Sequence, residues 1–207
     1  MSVSLLVFFL SIIQCVVFHS VYAACPLREG DGSENSNQYT YRLLATTKTS
    51  TMQKEMNDAA DEGFRLKSVM GGDTALGGSE VVVIMMKNSE SQNDWIYEYK
   101  LLATTKTSTM QRELQEAADA GFEYIGQTVF STTFSGDEVV VILERDKTKK
   151  PSHHQYRLLA TSKTSTMQKE LQEAGDEGFE LIGMTVAETG FTGSEIVSIM
   201  RRKITQP

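Results

Sequence analysis

The chain has 207 residues, 40% hydrophobic and 23% charged, with a formal net charge of −7. That balance is ordinary globular material, and an acidic chain without a basic stripe or basic–aromatic pattern excludes a general nucleic-acid binder. The two cysteines, Cys15 and Cys25, both fall near the start, so no internal disulfide framework is expected in the remainder.

Residues 1–23 read as a targeting segment. Leu5 to Val17 is almost wholly apolar, and Val21-Tyr22-Ala23 places small residues three and one positions before Ala24. This is the pattern of a secretory signal peptide cleaved after Ala23, and it predicts a secreted or periplasmic protein. Two alternatives stay open: an uncleaved membrane anchor, and a lipid-modified Cys25. Arg28 to Gln38 is polar and rich in Gly, Ser and Asn, which predicts a flexible leader over residues 24–38.

From there the chain writes one stretch three times. Leu43 to Gln53 reads LLATTKTSTMQ, Leu101 to Gln111 repeats it letter for letter, and Leu158 to Gln168 differs only at Ser162. Tyr41, Tyr99 and Tyr156 head the copies, and the later Phe64, Phe122 and Phe179 keep step with them. Self-similarity at this period predicts an array of small supersecondary units. The repeats are placed at residues 39–88, 95–146 and 154–203.

Within each repeat the local grammar is the same. Tyr39, Tyr41, Leu43 and Ala45 alternate with Thr40 and Arg42 over the first part of the stretch, which predicts a strand. Met52, Met56, Ala59 and Ala60 recur at helical spacing, with Lys54, Glu55, Asp58 and Asp61 on the opposite face. Ser50 followed by Gln53 reads as a capping box at the helix start. Gly63 supplies the left-handed residue that ends the helix, with Phe64 packing back. A second strand is expected from Phe64 to about Met70, then a Gly-rich connection, then the most apolar run, Val81 to Met86. A strand apolar on both faces suits the centre of a sheet. A right-handed crossover between the first two strands leaves a slot for it, antiparallel to both. The fold class is therefore α+β, three tandem β-α-β-β repeats packed together.

The packing follows from what one helix cannot cover. If it lies over Val81 and Val83, then Leu44, Val82 and Ile84 are left on the far face. Their counterparts are Leu102, Val140 and Ile142, and Leu159, Val197 and Ile199. Units of about fifty residues bury too little surface alone, so these faces are expected to pack on neighbouring units or on a second chain. Ile84, Ile142 and Ile199 are predicted to be buried between units.

Tyr97-Glu98-Tyr99-Lys100-Leu101 and the run from Glu170 to Leu181 (ELQEAGDEGFEL) resemble a family of small, mostly bacterial proteins of unknown function. Their hallmarks are a YEYK strand, a helix ending ELNELGxEGWELV and a closing apolar strand. The resemblance covers all three repeats, with Phe where the family usually has Trp. It implies a β-α-β-β fold and no catalytic residues to carry over.

Chemistry-bearing residues are sparse. His153 and His154 sit side by side beside Lys149, Lys150 and Pro151 with no third ligand at metal-site spacing, so they are read as a solvated linker and no metal or cofactor is expected. Glu116 and Asp119 could do acid–base work, but at helical spacing near Arg112 they read as a solvated face. Lys48 and Ser50, Lys106 and Ser108, and Lys163 and Ser165 place a cation and a hydroxyl at each helix N-terminus, where free amides favour anions. These six are the candidate anion-binding residues, with a small anionic ligand as the partner they would suit. Two functions are compatible with these features. One is a non-catalytic binding or assembly module, with a protein partner or homo-oligomer. The other is a hydrolase-like enzyme with a site between repeats built from hydroxyls and carboxylates.

Overall fold

A computed structural model describes residues 39–74, 78–89, 96–132, 136–188 and 193–204. The expected signal segment and leader, with Cys15 and Cys25, lie outside the described residues. Among the described residues twelve elements follow in order, four to a unit. The first unit has β1 (Tyr39–Thr46), α1 (Thr49–Asp61), β2 (Arg65–Thr74) and β3 (Gly78–Asn88). The second has β4 (Tyr97–Thr104), α2 (Thr107–Asp119), β5 (Glu123–Thr132) and β6 (Gly136–Asp146). The third has β7 (His154–Thr161), α3 (Thr164–Asp176), β8 (Glu180–Glu188) and β9 (Ser194–Lys203).

Each unit is a three-stranded antiparallel sheet with its closing strand in the middle: β1-β3-β2, β4-β6-β5 and β7-β9-β8. The central strands are the valine- and isoleucine-rich ones, as their two-sided apolarity requires. The second strand is longer than its apolar pattern suggests, running on through Gly71 and Gly72 to Thr74. Each second strand carries one register irregularity, between Leu66 and Ser68, Tyr124 and Gly126, and Leu181 and Gly183.

Both helix ends are determined locally. At the C-terminus, Gly63 adopts φ 89°, its N–H donates to the Ala60 carbonyl, and the Phe64 N–H donates to the Ala59 carbonyl. That pair of bonds is a Schellman motif, and Phe122 and Phe179 repeat the second bond. The N-terminus differs from the capping-box expectation. The N-cap is Lys48, extended and without a side-chain cap, and likewise Lys106 and Lys163. Its own N–H is held by the Thr46 hydroxyl at 3.2 Å. Ser50 already lies inside the helix, and Gln53 is engaged elsewhere.

Register also corrects the assignment of faces. Leu44 pairs with Val83, Leu102 with Val141 and Leu159 with Ser198. Directly paired residues share a face, so these leucines lie on the helix side, and Leu43, Leu101 and Leu158 belong to the far face. A slip of one residue moves a side chain to the opposite surface.

The core forms between units as much as within them. One cluster joins Met52 and Met56 of α1 and Val81 and Val83 of β3 to Tyr99, Val140 and Ile142 of the second unit. The next joins Met110 and Leu114 of α2 and Val141 of β6 to Tyr156, Val197 and Ile199 of the third. Each fully buried side chain of this size contributes roughly 1.5–3 kcal/mol. Ile142 and Ile199 are fully buried as expected. Ile84 is only half-buried, because no described unit lies on its face. Around α3 the cluster shrinks to Ala174, Phe179 and Met200, with Leu159 and Leu171 half-buried against it.

Candidate functional site at the repeat junctions

The first strand of each sheet is an edge strand, with a row of backbone groups that its own sheet does not pair. At both junctions the preceding helix supplies the partners. The Gln53 amide oxygen accepts from the Leu101 N–H at 2.8 Å. The Asn57 side chain accepts from the Tyr99 N–H at 2.8 Å and donates to the Tyr99 carbonyl at 3.0 Å. The second junction repeats this. Gln111 accepts from Leu158 N–H at 2.7 Å and donates to the Tyr156 carbonyl at 2.9 Å. Gln115 accepts from Tyr156 N–H at 3.1 Å and donates to the His154 carbonyl at 3.2 Å. A residue pair at i and i+4 on a helix faces one direction, and here that pair reads a strand edge as another strand would. Sequence reasoning assigned the glutamine to a cap and missed this role. The available signal was a Gln followed four residues later by Asn or Gln in every copy.

A tyrosine then inserts from the edge strand into the irregular part of the preceding sheet. The Tyr99 hydroxyl accepts from Leu66 N–H at 2.9 Å and donates to Glu144 at 2.8 Å. Arg65 closes the group with two bonds from Nε at 3.1 Å and one from Nη2 at 2.7 Å, all to the Glu144 carboxylate. Burial, then the adjacent Glu144, pushes the Tyr99 phenol well above its ordinary range, so it stays a neutral donor. At the second junction the Tyr156 hydroxyl accepts from Tyr124 N–H at 2.9 Å. There the charge order is reversed: Glu123 stands where the first junction has Arg65, and Arg201 where it has Glu144. His154 also departs from the solvated-linker expectation. It opens β7, is buried, and has an Nδ1 without a hydrogen-bond partner.

The first junction also borders a cavity of about 170 Å³, lined among others by Arg65, Tyr97, Glu123, Glu144, Asp146 and Ser152. This is the between-repeat collection of hydroxyls and carboxylates that a hydrolase would use. Two of its acids face a cation and the third accepts from a hydroxyl. Glu144 is held by Arg65, Glu123 accepts from the Ser152 hydroxyl, and Asp146 lies 2.9 Å from Lys149. Burial pushes the Asp146 pKa up, but hydrogen bonds from Thr148 and Lys149 outweigh it and leave the carboxyl below its ordinary value. That is the opposite of a poised general acid.

The six anion-site candidates are on the surface: Lys48, Ser50, Lys106, Ser108, Lys163 and Ser165 are exposed at their three helix starts. They are not brought to the junction cavity. Among the described residues no group of three or more His, Cys, Asp or Glu is arranged to hold a metal ion, and no helix is long and apolar enough to cross a membrane.

Comparison with protein-family models, with curated proteins and with solved structures returns no match.

Proposed function

We propose that the chain is an exported, non-catalytic binding or assembly module that engages a protein partner through its end faces. The observation that carries this reading is the exposure of Tyr41 (60%), Leu43 (64%) and Met70 (61%) on the first sheet. An edge strand with apolar side chains and free pairing capacity is a template for another chain. The ion-paired Glu144 and Asp146 of the junction cavity favour this reading over hydrolysis.

The test is hydrogen exchange on the chain in concentrated extracytoplasmic fluid against the dilute purified protein. Amides of Tyr41 to Ala45 are expected to gain protection in the fluid. Absence of protection, together with turnover of an ester, glycoside or phosphoester panel that Glu123→Gln abolishes, would establish the hydrolase instead. Export carries its own check. Cleavage after Ala23 predicts an intact mass beginning at Ala24; a full-length mass, or one raised by acyl chains on Cys25, overturns it.

A further inference from the structure

Resting on the module reading, we propose that the partner of the first sheet is a second copy of this chain, bound head to tail. The α3 face of one molecule takes the β1 edge of the next.

The two internal junctions define what fits an edge strand of this kind. Each uses a Gln and an Asn or Gln one turn apart to bond the Tyr and Leu of the following strand. The third helix carries the same pair, Gln168 and Gln172, at the same helical positions. Both are exposed, whereas Gln53, Asn57, Gln111 and Gln115 are half-buried under the neighbouring strand. At the other end β1 presents Tyr41 and Leu43 at the positions of Tyr99 and Leu101. The tyrosine socket is repeated too. Leu66 N–H and Tyr124 N–H each donate to a tyrosine hydroxyl of the next unit, and the equivalent position on β8 is Leu181.

The apolar surfaces agree with the polar pattern. Leu181, Met184 and Val186 pair with Met200, Ser198 and Ile196, so they lie on the helix side of the third sheet. Leu181 is 44% exposed, Met184 60% and Val186 59%. That is the side which, in the first two units, carries the next sheet. The far side of the first sheet carries the exposed Leu43, and Met70 joins it because it pairs with Val82. Each end is therefore uncovered on the face that the internal junctions cover. One component is missing: where the first junction has Arg65 and Glu144, the end faces carry Glu180 and Met86. Without that ion pair the intermolecular junction is weaker than the internal ones, and association depends on concentration. Because the two surfaces are different, the contact is heterologous and continues into a ring or a filament.

Sedimentation velocity on the purified full chain, as the cell processes it and under reducing conditions, tests this. The wild type is expected to shift to larger species as concentration rises. Leu43→Asp blocks the head and Met184→Asp the tail; each alone should stay monomeric. An equimolar mixture should give a species of two chains and nothing larger, since each variant retains one competent end. Both positions are exposed in the single chain, so folding is retained. Tyr41→Phe, which removes only the socket hydroxyl, should weaken association about fivefold. A wild type that stays monomeric throughout, a variant that associates alone like the wild type, or a mixture that fails to pair would overturn the proposal. If the wild type is monomeric while its β1 amides are protected in extracytoplasmic fluid, the face is held by another protein. Self-association then fails and the module reading stands. If both results are negative, both fail.

Discussion

Adjacent glycines on β2 show how locally the junction constrains side chains. A Cβ on Gly71 would overlap the Val129 carbonyl oxygen of the neighbouring sheet, while one on Gly72 would meet nothing within 4 Å. Gly71→Ala is therefore expected to cost about 1–3 kcal/mol, because two backbones must separate, and Gly72→Ala to stay within about 0.5 kcal/mol. Denaturant midpoints of the two variants give the comparison directly. His154 provides a second test. Burial lowers its pKa most; Arg201, Lys203 and His153 lower it further, and Glu123 opposes them. The folded chain thus binds this proton less readily than the unfolded chain, whose histidine titrates near 6.5. The His154 contribution is complete above that value and is lost as pH falls from there toward the folded-state pKa. The fall in urea midpoint between pH 7.5 and 5.5 should be smaller in His154→Tyr, which restores the residue at this position in the other two copies. An equal fall in both proteins would show that His154 is not its source. Neither property is legible from the sequence. Gly71 and Gly72 look alike there, and His154 reads as half of a polar pair until the strand it opens is packed against α2.

Helices and strands were largely legible. The Met and Ala spacing, the C-terminal glycine and the two-sided apolar strand each have a local cause, and the structure has all three in each unit. The start of the helix is ambiguous in the sequence, because Ser-x-x-Gln satisfies a capping pattern as well as it satisfies a helix face. Whether Gln53 turns back to its own backbone or outward depends on a donor, the Leu101 N–H, that arrives from 48 positions later. The same amino acid in two settings separates these roles. Gln111→Ala leaves the Leu158 N–H without its partner and should cost about 1–2 kcal/mol. Gln168→Ala, on the exposed α3, should change the stability of the dilute monomer by no more than about 0.5 kcal/mol. Equal effects would mean that the edge bonds contribute nothing. The anion reading of the helix starts is testable at the same scale. Lys106 is the N-cap, so Thr107, Ser108 and Thr109 supply the first amides; Met110 N–H already bonds the Lys106 carbonyl. Phosphate-induced shifts confined to those three amides, and lost in Lys106→Ala, would mark a site. Shifts spread over the surface would leave the lysine as an N-cap alone.

For the whole molecule, stability is a sum of units and junctions, as in other repeat arrays. Ile142 and Ile84 occupy equivalent positions, one fully buried at a junction and one half-buried on an end face. Ile142→Asp should cost more than about 4 kcal/mol or prevent folding, since it buries an unpaired charge. Ile84→Asp should cost roughly 1 kcal/mol, as its carboxylate reaches water. Thermal melts of both variants at low concentration decide it, and comparable losses would contradict the open end face. By itself the sequence determined the repeat, the β-α-β-β order, the central position of the apolar strand and the need for the units to cover one another. Those follow from periodicity and from how little surface a fifty-residue unit buries. Only the tertiary structure decided how the units join. It assigned Leu43 rather than Leu44 to the far face, turned Gln53 and Asn57 onto a strand edge, and brought Arg65, Tyr99 and Glu144 together. The first outcome depends on the register of β1 against β3, the other two on partners from a different repeat, and three nearly identical copies cannot say in advance which surface of one meets which surface of the next.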